Sequence, residues 1–282
     1  MGRRVSSIPF ELSDKGHIFI RARVNGSEPL WFGLDSGNEQ TLISQQQAKA
    51  LSLKLRGGMQ ATGSGEGTAD FALARNISFS LSGSDFTLGE VGVVPLAFTS
   101  PVPGQAVGGF LGYDFISRFV VEIDYTAHVI NLYRPRGYLY RGRGEIVPVR
   151  MLDNNPYIPA TVVLPGLEPV SGMFQIDSGA ATDIQFYSPF VKRHGLLNTA
   201  QETTEASTLG IGGASKIRIG HATSVRIGRA VIANPSVHFS QAAKGDDAGT
   251  VGAGLVGGGL LRQFKTVILD PSRRRIIFEP KS

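Results

Sequence analysis

Gly33-Leu34-Asp35-Ser36-Gly37 occurs early in the chain, and Gln175-Ile176-Asp177-Ser178-Gly179 repeats its pattern half a chain later. Each copy ends an apolar, strand-like run in a carboxylate at a Ser-Gly turn. Asp, Ser and Gly are ordinary turn residues, so one copy alone carries little. Two copies in matching surroundings read as two half-sites that meet.

The surroundings do match. In the first half, a strand at residues 8–12 and a Ser13-Asp14-Lys15-Gly16 turn lead to residues 18–24, where apolar and polar residues alternate as on a half-buried strand. Asn25-Gly26 is a hairpin signal, and the strand at 30–34 then delivers Asp35. Residues 42–53 suit a short amphipathic helix, with good helix formers at 45–50. Residues 57–67 are too rich in Gly for a helix and read as a mobile hairpin tip. Strands are expected at 71–81 and 86–94, then a Pro/Gly loop at 100–108 and Gly109-Phe110-Leu111-Gly112. A helical turn at 113–118 and a strand pair at 119–125 and 129–133 complete the half.

Residues 134–144 are basic, rich in Gly and without a sustained period, which sets the lobes at 1–137 and 138–282. The plan then restarts. A hairpin at 146–164 turns at 153–156, the run 173–176 delivers Asp177, and 188–197 repeats the helix. Residues 209–214 repeat the Gly-rich tip, Gly254-Leu255-Val256-Gly257 repeats Gly109 to Gly112, and strands follow at 264–270 and 275–279. The offset is 139 residues from Pro9 to Pro148, 142 from Asp35 to Asp177 and 145 from Gly109 to Gly254. Three landmarks in one order at nearly one spacing point to a duplicated lobe.

Bulk properties narrow the classes. With 282 residues the chain can bury a large core without disulfide or metal staples. It has no Cys, which excludes a thiolate metal site and a cysteine nucleophile. Part of the net charge of +5 lies in short clusters at Arg3 and Arg4, 134–143 and 273–275. Such clusters solvate a surface and lack the stripe with stacking aromatics that nucleic acid requires. No apolar run reaches the length of a membrane-spanning helix, and no signal peptide is visible. The 36 Gly and 15 Pro among short Val/Ile/Phe-rich runs favour an all-β fold with tight turns.

Two carboxylates brought a few ångströms apart share one proton and titrate as a unit. Such a pair takes a proton from a water that attacks an amide carbonyl, and donates one to the developing oxyanion and leaving amine. Ser36 and Ser178 can hydrogen-bond across or beside the carboxylates to hold them coplanar. Gly37 and Gly179 let backbone N–H groups approach where a Cβ would block them. The chemistry requires no cofactor and no metal.

The apolar-Asp-Ser-Gly motif with a later apolar-apolar-Gly motif resembles the pepsin/retropepsin superfamily of aspartic proteases. More closely, it resembles bacterial retropepsin-like proteins, through Phe110-Leu111-Gly112-Tyr113-Asp114-Phe115 leading to Val121-Glu122-Ile123-Asp124-Tyr125, with Leu255-Val256-Gly257-Gly258 as a weaker copy. The resemblance covers about Ile8 to Pro280. It implies a bilobal acid-protease fold of two homologous β-barrel lobes about a pseudo-twofold axis. It also implies a peptide cleft with Asp35 and Asp177 catalytic, and segments near Phe110 and Leu255 packed behind the catalytic turns in a ψ-shaped loop. The flap maps onto 61–67, with Gly63, Ser64 and Gly65, and a second flap onto 209–214, with Gly210, Ile211 and Gly212. A peptide or protein substrate would bind as an added strand to a monomeric enzyme. Family habit implies export to the periplasm or medium, with a cytoplasmic location left open. The sequence departs from the family at Asn38, where Ala, Ser or Thr is usual, at the extra acid Glu39, and in lacking a flap Tyr.

Blander readings stand beside these. Each Asp alone can be a turn residue, and each Gly-rich tip a plain loop. Gly252 to Gly257 fits the dinucleotide fingerprint G-x-G-x-x-G, but no strand precedes it, the following sequence reads mostly as strand, and the other half lacks it. His17, His128, His194, His221 and His238 have no metal-ligand spacing. Asp114 and Asp124 read as capping or turn acids. Tyr133, Tyr138 and Tyr140 read either as a binding patch or as packing of the interlobe linker. A peptide-binding protein that has kept the cleft and lost turnover is the alternative function, supported by Asn38 and Glu39. A two-lobed assembly scaffold is the third.

Overall fold

The computed structural model describes residues 4–96, 102, 104–152, 154–198 and 202–281. Residues 100, 101 and 103 of the expected 100–108 loop, residue 153 of the expected turn and Arg3 of the first basic cluster lie outside them. The described chain is all-β and bilobal, built on three sheets with a few short helices.

The first half forms an eight-stranded sheet. At its centre, strand Leu30–Leu34 runs parallel to Val107–Leu111, which pairs on its other side, antiparallel, with Leu42–Ser44. The second half repeats this: Val170–Asp177 runs parallel to Gly254–Gly257, and Ile184–Phe186 pairs antiparallel with it. In both halves, therefore, the strand that ends at the Asp lies beside the apolar-Gly strand, in the ψ-shaped arrangement the resemblance implied.

The third sheet joins the halves. Its six strands are Arg4–Pro9, Val129–Tyr133 and Val120–Asp124 from the first half, then Thr266–Asp270, Arg275–Glu279 and Glu145–Pro148 from the second. Val120–Asp124 meets Thr266–Asp270 antiparallel, with Glu122 opposite Ile268 and Ile123 opposite Val267. One core runs from Ile8 and Phe32 through Phe115 and Ile123 to Phe174, Val267 and Phe278, all buried. Alternation in the strands supplies it: in Ile18–Val24, Arg21 and Arg23 are exposed while Ile20, Ala22 and Val24 are buried.

Several elements are shorter than the sequence predicts. Residues 42–53 split into a buried strand, Leu42–Ser44, and a helix, Gln45–Ala50. The Ser44 hydroxyl caps that helix by accepting the Gln47 N–H at 3.2 Å. The later helix spans only Ser188–Arg193, and strand Leu55–Ala61 runs into the region read as a tip, across a register shift that accommodates Gly57 at φ +70°. One turn of helix, Gly258–Leu261, follows Gly257, and the expected strand at 264–270 spans only Thr266–Asp270. The glycines of the false dinucleotide fingerprint serve close strand approach instead. A Cβ on Gly254 would lie 1.8 Å from the Gln185 carbonyl oxygen, and one on Gly257 2.2 Å from that of Thr182.

The aromatic cluster beside the arginines is packing. Tyr133 and Tyr138 are buried with Val120, Ile268 and Ile277 against the six-stranded sheet. Arg273 donates to the Tyr138 carbonyl at 2.9 Å and, with Arg275, pairs with the fully buried Asp270. Asp124 ends its strand by accepting the Thr126 and Ala127 N–H groups, the turn role expected of it.

Candidate active site

Asp35 and Asp177 stand at the ends of the two central strands, Leu34 beside Leu111 and Asp177 beside Gly257. Behind each turn the short helix after the apolar-Gly strand donates to it. Tyr113 N–H reaches the Asn38 carbonyl at 2.7 Å, and Gly258 N–H reaches the Ala180 carbonyl at 2.7 Å.

The two turns interlock. Ser36 N–H donates to the Ser178 hydroxyl at 3.0 Å, and that hydroxyl donates to the Leu34 carbonyl at 2.9 Å. The mirror pair runs from Ser178 N–H to the Ser36 hydroxyl at 3.0 Å and from that hydroxyl to the Ile176 carbonyl at 2.8 Å. Both serines are buried. They fasten backbone to backbone across the two halves, which corrects the expectation that they hold the carboxylates directly. A hydroxyl aimed at a carbonyl on the opposite strand has no donor proton left for the acid beside it.

Across this clasp the carboxyl of each turn lies against the glycine of the other. A Cβ on Gly37 would sit 2.4 Å from the Asp177 carboxyl carbon, and one on Gly179 would sit 2.5 Å from that of Asp35. Each glycine is small because the opposite acid lies against it. Its own N–H is turned to the acid of its own turn, Gly37 to Asp35 at 3.0 Å and Gly179 to Asp177 at 2.9 Å. Asn38 Nδ2 adds a bond to Asp35 at 3.3 Å, and Ala180 N–H one to Asp177 at 3.1 Å.

Burial raises the Asp35 carboxyl above the ordinary carboxylate range, against the pull of the Gly37 and Asn38 donors. Asp177 is raised well above that range, by burial first and then by the charge of Asp35. Two like acids in one buried site can hold one proton between them.

The Gly-rich tips also meet. Gly65 N–H donates to the Ile211 carbonyl at 2.9 Å and Gly67 N–H to the Gly212 carbonyl at 2.9 Å. Gly63 lies against the Ile211 side chain, and Ser64 against Gly210. All six flap candidates are thus gathered at one junction. A clasp without any motif to mark it holds the first tip from the side: Asp246 N–H donates to the Gly63 carbonyl at 2.9 Å, and Ala243 N–H to Glu66 Oε1 at 2.8 Å. Beside the junction is a cavity of about 430 Å³ lined by Pro95, Leu209 and Ile211, with Gln60 and Asp70 on its polar side.

Sequence reasoning missed two side chains here. Gln175 Nε2 donates to the Gly37 carbonyl at 2.8 Å, and the Tyr187 hydroxyl donates to Gln175 Oε1 at 2.8 Å. The available signal was a polar Gln within the apolar run Met173-Phe174-Gln175-Ile176, at the place Gly33 holds in the first copy.

Residues 20–115 match a family model described as aspartyl protease. The match takes in the Asp35 turn, the first Gly-rich tip and the apolar-Gly segment, and stops before Asp177. It supports a protease of the aspartyl class. No curated protein matches the chain.

Proposed function

We propose that the chain is an aspartic endopeptidase, with Asp35 and Asp177 as its catalytic pair. The observation that carries this is the reciprocal packing of each carboxyl against the glycine of the other turn. A pair so placed shares a proton, and can activate a water held between its members while protonating the carbonyl that the water attacks. The similarity to the aspartyl protease model over the first half supports the same class of chemistry. The two halves, 1–137 and 138–282, are read as one duplicated lobe, so that a single chain supplies both acids.

The two tips serve as flaps over an extended peptide, held by main-chain hydrogen bonds. Because they bond to each other through backbone groups, opening exchanges those bonds for bonds to substrate. Ser64 and the glycines around it carry little bulk that would obstruct a peptide there.

A peptide-library digest across roughly pH 3 to 8, a range chosen for such a pair, tests the reading. Cleavage is expected, with inhibition by a pepstatin-type statine. Asp35→Asn and Asp177→Asn should each lower kcat by about three orders of magnitude or more. Undiminished proteolysis by both variants would overturn the proposal. Binding of peptides without cleavage at any pH would instead establish the peptide-binding alternative.

A further inference from the structure

We propose that the strap of chain at 134–144 docks the protein on an anionic phospholipid bilayer, with Leu139 as the inserted anchor and the arginines around it as the charge. Nothing in this depends on the catalytic pair.

The strap leaves strand Val129–Tyr133 and ends at strand Glu145–Pro148, on the edge of the six-stranded sheet. Between them lie Val120–Asp124, Thr266–Asp270 and Arg275–Glu279, so the strap crosses the sheet. It does so on the outer face. Val121 and Ile123 enter the core that both halves share, while Val120 joins Tyr133, Tyr138, Ile268 and Ile277 in a separate cluster. Leu34 and Ile176, which adjoin the two acids, belong to the shared core. A bilayer seated on the strap would therefore lie behind the sheet and leave the side that carries the acids to solvent.

Two tyrosines fix the strap and turn Leu139 outward. Tyr138 is buried, and its carbonyl accepts from Arg273 at 2.9 Å. Tyr140 donates to Glu279 Oε1 at 2.7 Å and accepts the Gly144 N–H at 2.6 Å. A Cβ on Gly142 would sit 2.3 Å from the Tyr140 hydroxyl, so the chain folds back against that group. Leu139, between the two tethered rings, is 56% exposed. Arg134 and Arg136 before it, and Arg141 and Arg143 after it, are exposed as well.

Arginines in a turn ordinarily just solvate a surface. These four differ in having no counter-ion: among the described residues the ion pairs are made by other arginines. The acids near the strap are already engaged, Asp270 with Arg273 and Arg275, Glu145 with Arg229, Glu279 with Tyr140 and Glu122 with Asn131. Uncompensated positive charge around one projecting apolar side chain complements an anionic bilayer, which carries its charge outside and its hydrocarbon just beneath. A bilayer yields around a lone leucine, whereas an acidic protein would need a hole to receive it. Nucleic acid fits poorly, because the rings that could stack on bases are tied to the sheet.

The test is cosedimentation of the full chain with lipid vesicles over a range of salt concentrations. Vesicles of phosphatidylglycerol mixed with phosphatidylcholine should bind the chain, and phosphatidylcholine alone should not. Added salt should weaken the binding steeply. Arg141→Gln combined with Arg143→Gln should weaken it about twentyfold, at roughly fivefold for each arginine near the surface. Leu139→Ser should weaken it about tenfold, the worth of one partly buried leucine. Arg193→Gln, an exposed arginine on the helix Ser188–Arg193, should leave it unchanged. Leu139→Trp adds a local readout, since Trp31 is the single native tryptophan and is buried. Emission from the introduced indole should shift to the blue with the mixed vesicles. No binding to the mixed vesicles, binding unmoved by Leu139→Ser and by the arginine pair, or an unshifted indole would each overturn the proposal. Binding to soluble polyglutamate but not to the mixed vesicles would likewise overturn it, and would give the surface to an acidic protein.

Discussion

At the scale of single residues, the site depends on what four small side chains permit. Ser36 and Ser178 each satisfy two backbone groups on the other half, all in buried surroundings. Ser178→Ala should therefore cost about 2–4 kcal/mol, since it strands a buried N–H and a carbonyl. Ser36→Ala should cost a similar amount and the double variant less than the sum, because the hydroxyls form one network. Chemical denaturation of the four proteins measures this. Gly37→Ala should fold less stably and lose most activity, as its Cβ would press on the Asp177 carboxyl carbon at 2.4 Å. Asp247 yields a prediction outside the pair. It is 1% exposed, its Oδ2 has no hydrogen-bond partner among the described residues, and burial with the neighbouring Asp246 pushes it up to about 7. A raised carboxyl binds its proton more tightly folded than unfolded, so stability is retained below about pH 4 and lost as pH rises through about 7. Asp247→Asn should thus be more stable than the parent by up to about 4 kcal/mol at pH 8 and nearly equal to it at pH 3.5. Melting curves at the two pH values decide the point.

At the scale of elements, the paired hairpin tips matter most. The tips at 57–67 and 209–214 were legible as Gly-rich sequence, while the strands Leu55–Ala61, Thr204–Gly210 and Gly213–His221 that carry them were not. That the tips bond to each other, and that 243–246 clasps the first, was not legible. These contacts are made mainly by backbone N–H and C=O groups, which every residue carries and no motif marks. Glu66→Ala removes the side chain that accepts the Ala243 N–H and should loosen the tip. The expected result is faster amide exchange at 63–67 and a KM changed about two- to fivefold with kcat nearly intact, the size of one exposed hydrogen bond.

At the scale of the whole molecule, the six-stranded sheet makes one body of two copies. Val120–Asp124 of the first half and Thr266–Asp270 of the second are its central strands, and each would be a bare edge without the other. Residues 1–137 expressed alone should therefore associate through that edge instead of remaining monomeric. Mixing with 138–282 should restore a single 1:1 species. Light scattering tests both outcomes, and a stable, folded monomer of 1–137 would contradict the expectation.

The repeat, the fold class and the two acids were fixed by local sequence. Strand alternation and turn residues act within a few residues and leave a periodic trace. The partner of each serine hydroxyl, the Gln175 strut, the Asp247 environment and the meeting of the tips were decided only in three dimensions. They join residues far apart in the chain, as Ser36 and Ser178 are at 142 positions, and no local pattern encodes a contact across that distance.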